Sequence, residues 1–346
     1  MKRILALVLS MMLMAAMAVT PAAAEEEKVL NIFTWATYVD DETLANFEAE
    51  TGIKVNYSYF SSNEEMMAKL QANGGSEYDI ILASDYALAT MREQNLLLPL
   101  NKDVLPNYAN LNTNYLGQYF DPNSEYVVPY VVGTPLIIYD PALVDIEIKG
   151  YADLWDPSLA DSIVVVDDAR NIIGITLKTM GKSLNETDPA VLAAAKTRLM
   201  PLYGNIRIFD YDTPYSAIIS GEASVGYMFT TQVFVSILER PDLQIVVPEE
   251  GVGIGIDGFA IPVNAPNAAN AHALLDYLMD AEVAAFCAEM QYTPTPNKAA
   301  EPLLPDWLKN SPALLTAEQA ATAEFMVNLG ETEAVYQEIW VEFKQQ

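Results

Sequence analysis

Apolar and polar positions alternate along this chain in two periods, near 3.6 residues and near 2, and the switches between them predict an α/β protein. The first complete unit runs from Asn31 to Val55. Ile32 and Phe33 make a short apolar strand, Trp35 and Tyr38 follow in a loop, and Asp40 or Asp41 opens a helix. Glu42 complements that helix's dipole, Leu44 and Phe47 give it an apolar face, and Gly52 stops it. Ile53, Val55, Tyr57 and Tyr59 then alternate with polar residues, the period of a half-buried strand. Ligands in open α/β sheets bind beyond the carboxyl ends of strands, where Trp35 and Tyr38 fall; packing under the loop is the plainer role for both rings.

The same alternation continues. Ser62 and Glu65 have capping-box spacing before a helix that turns Met66, Met67 and Leu70 to a core. Residues 78–83 read as a buried strand ending at Ser84-Asp85-Tyr86, and residues 87–93 as a short helix. A proline-punctuated segment leads to residues 127–130, and further strands are predicted over 136–139, 162–166, 206–209, 223–229, 243–247 and 254–262. The strand at 162–166 delivers Asp167-Asp168-Ala169-Arg170-Asn171 to a helix start, and the one at 223–229 ends on Phe229. The last third is mainly helical, interrupted by Tyr292-Thr293-Pro294-Thr295-Pro296-Asn297.

Before the first unit, Lys2 and Arg3 precede an apolar run over 4–19 that ends in Pro21-Ala22-Ala23-Ala24. This predicts a secretory leader cleaved before Glu25, with no cysteine near the junction for lipid attachment. Residues 25–346 are too long for one ordinary core and suit two lobes. With 18 basic against 47 acidic residues the net charge is −29, which disfavours nucleic acid and anionic membranes as partners. It favours small cations, although solubility of an exported protein would explain the charge equally well.

The single cysteine, Cys287, sits with Ala284, Ala285 and Met290 in a helical run and reads as a small core residue. The single histidine, His272, is expected at the surface or a boundary. One of each builds neither a Cys/His zinc site nor a convincing catalytic triad, and no nucleotide-binding fingerprint is present; no metal, cofactor or catalytic residue is predicted. Asp168 and Asp257 are the notable carboxylates. Capping would account for Asp168, whereas Asp257 lies among glycines and isoleucines, where an ionised carboxylate needs a partner or water. With Trp35, Tyr38, Tyr86, Phe229 and Tyr292 at strand or loop ends, they would form a box for alkylammonium groups: aromatic faces cover methylenes and carboxylates take the N–H donors.

The chain resembles the periplasmic spermidine/putrescine-binding proteins of polyamine ABC transporters over essentially the whole length that follows the leader. The matching pieces are TWATYV from Thr34, ETGIKV from Glu50, SNEEMMAKL from Ser62, YDIILAS from Tyr78, DDAR from Asp167, GEASVGYM from Gly221, IDGFAIPVNAPN from Ile256 and YTPTPN from Tyr292. Singly weak, they are specific in their order and spacing. The resemblance implies an α/β, two-lobed periplasmic binding protein fold with a ligand cleft between the lobes. Lobe one would hold residues 25–132 and 258–308, lobe two 133–257, and the C-terminal helices over 309–346 would pack across.

By the same resemblance, Trp35, Tyr38, Ser84, Tyr86, Asp168, Asp257 and Tyr292 match residues lining the polyamine site. This chain departs where it has Thr37 and Asn171 in place of acids, Phe229 and Gly255 in place of tryptophans, and Met326 in place of a glutamine. Asp85 is a further candidate acceptor. The expectation is a monomeric, exported binding protein, not an enzyme, that delivers a di- or polyamine to a permease. The lost acids would disfavour a third ammonium, and so spermidine, relative to putrescine or cadaverine. A secreted hydrolase using Asp168 and Asp257 as paired carboxylates is the rival from another class.

Overall fold

The computed structural model describes residues 27–36 and 38–346. The expected leader, its cleavage point and Thr37 lie outside the described residues. No helix among them is long and apolar enough to cross a membrane.

Two sheets organise the chain. The first contains β1 (Val29–Thr34), β2 (Lys54–Tyr59), β3 (Ile80–Ser84), β4 (Leu97–Leu98), β5 (Val127–Gly133), β11 (Gly253–Pro262) and β12 (Glu324–Phe325). The second contains β6 (Pro135–Tyr139), β7 (Ile163–Val165), β8 (Ile206–Phe209), β9 (Val225–Phe229) and β10 (Gln244–Val246). The first runs in the order β12-β11-β3-β1-β2, with β4 and β5 also on β11, and the second in the order β10-β6-β9-β7-β8. β1 is parallel to β2 and β3, whereas β11 is antiparallel to β3 and β5. Helices cover both sheets: α1 (Asp41–Thr51), α2 (Asn63–Asn73), α3 (Asp85–Glu93), α4 (Ala169–Thr179), α5 (Pro189–Leu199), α6 (Tyr215–Ser220), α7 (Thr230–Glu239), α8 (Ala268–Leu278), α9 (Ala281–Gln291), α10 (Asp306–Lys309), α11 (Ala317–Thr322) and α12 (Thr332–Phe343).

Local chemistry sets these elements as the sequence predicts. Asp40 caps α1 by accepting from Thr43 N at 2.8 Å, and Gly52 ends it with φ of 71°. Ser62 accepts from Glu65 N at 3.1 Å, but Glu65 reaches back to Ser61 N at 2.9 Å, one residue short of a regular box. One expectation fails. His272 is buried, its Nε2 accepting from Asn101 N at 2.9 Å and its Nδ1 lying 2.7 Å from Ala268 O, because α8 presses that face onto the segment after β4. Cys287 is buried on α9 as expected, while Met290, three residues on, is exposed.

The chain passes between sheets where the site will be found. β5 leads into β6 through Thr134, whose N–H donates to Thr230 Oγ1 at 3.0 Å while that hydroxyl donates back to Thr134 O at 2.5 Å. The return is β11, and residues 253–257, assigned to the second lobe from sequence, pair in the first sheet: Gly255 lies opposite Gly133 and Ile256 opposite Val132. Two glycines obscure the start of that strand's apolar alternation.

A third connection was not legible at all. The two residues of β12 pair with β11 at Gly253 and Ile254, while the Glu324 carboxylate accepts from Lys178 Nζ at 2.6 Å, Ser183 Oγ at 2.7 Å and Leu184 N at 3.1 Å on the second unit. Beyond it, α12 buries Tyr336, Ile339, Trp340 and Phe343 in the second sheet's core. Desolvation pushes the Glu324 carboxyl up, but Lys178, Ser183 and the Leu184 N–H outweigh it and hold it below the ordinary value. A carboxyl lowered in this way stabilises the fold above its unfolded value of about 4.3 and loses that contribution as pH falls through the lower folded value. Glu324→Gln should therefore cost about 1–2 kcal/mol in urea unfolding at pH 7, with the gap to wild type closing in acid. An unchanged unfolding midpoint at pH 7 would rule out this anchoring role.

Candidate functional site

The strands of the first sheet deliver their carboxyl ends to one region. The loop after β1 carries Trp35, whose ring meets Phe60 edge-on at 4.4 Å between centroids and whose indole N–H is buried without an acceptor. Tyr38, three residues on, donates its phenol hydrogen to Asp257 Oδ2 at 2.6 Å. Asp257 occupies β11 opposite Ser84 of β3 and Val131 of β5, where the pairing with β5 shifts register before Gly258. Burial pushes the Asp257 carboxyl up, opposed by the donors Tyr38 and Ser84. Burial and then the Asp257 charge push the Tyr38 phenol well up, so it stays a donor at neutral pH.

Asp85 opens α3 and is buried, accepting from Tyr86 N at 2.7 Å and Ile256 N at 3.2 Å. Its carboxyl is pushed up to about 7, first by burial and further by Asp257. The structure thus places it behind Asp257, bonded to backbone. Tyr86 is half-buried; its hydroxyl accepts from Asn63 Nδ2 at 2.9 Å and donates to Glu64 Oε1 at 3.1 Å.

On the second sheet, Asp168 caps α4. Asn171 N and Nδ2 donate to its Oδ1 at 2.7 and 3.0 Å, leaving Oδ2 without a donor among the described residues. Asn171 is buried, and its own Oδ1 accepts from Tyr227 OH at 3.4 Å. Phe229, at the end of β9, packs against Tyr211 with centroids 5.9 Å apart.

Tyr211 was missed from sequence. It is 54% exposed, yet its hydroxyl is pushed up to about 12 by desolvation, then by Asp168, Asp257 and Asp212. The charges of one carboxylate from each sheet unit thus both raise this phenol. Its position just past the end of β8 was the available signal, overlooked because Asp210-Tyr211-Asp212 carries no periodicity.

Tyr292 is brought less close. It ends α9 in the left-handed region with φ of 53° and packs on Trp307 at 5.8 Å; no hydrogen bond or ring contact joins it to the carboxylates or to Trp35, Tyr38, Tyr86 or Phe229. Thr37 lies outside the described residues.

Among the described residues no basic side chain pairs with Asp85, Asp168 or Asp257. Arg170, the nearest in sequence to Asp168, is engaged by Glu333 at 2.5 Å, Asn185 at 3.0 Å and Val327 O at 3.1 Å. Among the described residues no cluster of three His, Cys, Asp or Glu side chains could hold a metal. Desolvated carboxylates without a cation, beside Tyr38, Phe229 and Tyr211, suit an organic cation with N–H donors.

The space is also visible at Gly255, two residues before Asp257 on the same strand face, where an added Cβ would meet nothing within 4 Å. At Gly258 the same atom would lie 2.5 Å from Val127 Cγ1. Gly255→Ala should leave the fold intact or stabilise it by about 0.5 kcal/mol, while Gly258→Ala should destabilise it. Urea denaturation of both variants tests this, and equal losses would mean that the space at 255 is packing.

The model for the family described as bacterial extracellular solute-binding protein matches residues 42–316. The spermidine/putrescine-binding periplasmic protein of Salmonella typhimurium is 34% identical over 331 residues, covering 95% of each chain. A putrescine/cadaverine-binding protein of Pseudomonas aeruginosa is 28% identical over 349 residues, covering 96% of this chain and 98% of its own. Among solved structures, a spermidine/putrescine ABC transporter substrate-binding protein of Streptococcus pneumoniae superposes with a TM-score of 0.85 at 31% identity, covering 92% of this chain and 99% of that one. The two-sheet architecture is that of the type II periplasmic binding proteins. This chain belongs to the bacterial extracellular solute-binding protein family.

Proposed function

We propose that the protein captures a di- or polyamine outside the cytoplasm and delivers it to the permease of an ABC transporter. The observation that carries this is the pair Asp168 and Asp257, one on each sheet unit: Asp257 accepts from the Tyr38 phenol, Asp168 keeps one oxygen without a donor, and neither has a basic partner among the described residues. The relatives that bind putrescine, cadaverine or spermidine by name support the same ligand class. Each carboxylate takes an ammonium group, and Trp35, Tyr38, Tyr86, Phe229 and Tyr211 cover the methylenes, with Tyr292 joining when the units close. A ligand that contacts both units favours their approach by its differential affinity, with the three connections as the hinge. The working boundaries are a first lobe built on the β11 sheet, a second on the β9 sheet, and a monomer as the acting species.

A diamine is the preferred ligand. Asn171 spends one side-chain amide hydrogen on Asp168 and an oxygen lone pair on Tyr227, so it offers less to a third ammonium than a carboxylate would. Calorimetric titration with putrescine, cadaverine and spermidine should give tighter binding of the diamines. Asp168→Asn and Asp257→Asn should each weaken putrescine binding by about 2–5 kcal/mol with the fold retained. Absence of amine binding, or variants that bind like wild type, would sink the proposal.

The site should also be pH-dependent. With the Asp85 carboxyl pushed up to about 7 and Asp257 raised by burial, acid protonates the groups that attract the ligand. Binding an ammonium then releases protons, so affinity should rise between pH 6 and pH 8, by up to about tenfold per unit for each proton released. A dissociation constant that is flat over that range would contradict the linkage.

A further inference from the structure

Tyr38 is held at its carbonyl as well as at its phenol. Gln291 Nε2 donates to Tyr38 O at 2.6 Å and to the Tyr130 hydroxyl at 2.7 Å, and that hydroxyl donates to the same carbonyl at 3.2 Å. The triangle is complete: both Gln291 amide hydrogens are used, the carbonyl accepts twice, and the phenol accepts once and donates once. Burial pushes the Tyr130 phenol well up, which keeps its hydrogen available.

The contacts continue under the loop. The Cys287 thiol lies beside the Tyr130 hydroxyl, Thr43 Oγ1 is 3.6 Å from Cys287 Sγ, and Thr43 donates from both its N–H and its hydroxyl to Asp40, the cap of α1. Val39 N, next to Tyr38, donates to Tyr57 OH at 3.1 Å. Between β1 and α1, Tyr38 and Val39 lie outside strand and helix, and these side chains bond to their backbone.

Resting on the proposed function, we infer that Gln291 and Tyr130 are positioning residues for ligand binding: by holding the Tyr38 carbonyl they set the loop so that the Tyr38 phenol reaches Asp257. Neither bonds to a site carboxylate; both act through Tyr38. A phenol-to-carboxylate bond of 2.6 Å tolerates little displacement of the backbone that carries it. The last turn of α9 therefore serves the pocket through Gln291 on Tyr38.

The test uses the full chain with Gln291→Ala, Tyr130→Phe, Tyr38→Phe and the double variant Gln291→Ala/Tyr38→Phe. Tyr130→Phe keeps the ring that packs on Phe259 at 4.8 Å and stands in if Gln291→Ala disturbs α9. Putrescine titration should show Gln291→Ala weakening binding roughly 5- to 30-fold, and the double variant binding no worse than Tyr38→Phe alone. Additive losses would mean that Gln291 acts by another route and would overturn the inference. Amide hydrogen exchange on the ligand-free proteins gives a second readout, in which Val39 N–H should exchange faster in Gln291→Ala and in Tyr130→Phe. Unchanged exchange at Val39 in both would also overturn it. If wild type binds no amine, the functional proposal fails, and the exchange arm still decides the positioning role.

Discussion

A carboxylate taken out of water with no cation beside it is the constraint around which this molecule is arranged. Asp257 has two hydroxyl donors, from Tyr38 and Ser84, and no ion pair. Hydrogen bonds offset part of the cost of burying a charge, and the remainder persists as a raised proton affinity. On the proposed reading, that residual cost is what a cationic solute would relieve. Asp85 adds a second buried carboxyl, bonded to the N–H groups of Tyr86 and Ile256.

Sheet geometry makes such a placement possible. β11 is antiparallel to β3 on one side and to β5 on the other, so Asp257 cannot move without disturbing two ladders. The register shift before Gly258 lets the strand turn at that point, and the close approach of Val127 and Val128 O at Gly258 requires a residue without a side chain. The second sheet uses a helix start instead: Asp168 spends one oxygen on capping α4 and keeps the other. One carboxylate is thus fixed by a sheet and the other by a helix cap, and both structures form before any ligand arrives.

The two units are joined by more chain than the crossover strands alone. β12 adds its backbone to the β11 sheet while Glu324 reaches Lys178, Ser183 and Leu184, and Arg170 binds Val327 O and Glu333 just beyond. The closure proposed for the units would have to flex this strap together with Thr134 and the segment before β11. The charge on Arg170 is consumed there, and this keeps a guanidinium from neutralising the neighbouring Asp168.

What the sequence determined by itself was local. Period, caps and glycine stops placed α1, β2 and β3 within a residue or two of their observed ends and the starts of α2 and α4 at their caps, because Asp40, Gly52, Ser62 and Asp168 act on backbone groups a few residues away. It also marked Asp257 as anomalous, since a charge in an apolar run is a conflict visible without coordinates. Tertiary structure decided the rest. His272 turned inward to meet Asn101, a residue 171 positions distant. β12 has two residues and no pattern, and exists only because β11 offers it an edge. Tyr211 became part of the site through its approach to two aspartates on different elements, and Gln291 through a carbonyl 253 positions away. Asp85, Asn171 and Tyr292 were also named from sequence as candidates beside Asp257, and packing separated them: Asp85 and Asn171 are buried, and Tyr292 sits on Trp307. Short-range hydrogen bonds leave a signature in neighbouring residues, whereas contacts between distant segments depend on how sheets and helices stack, which no window of sequence contains.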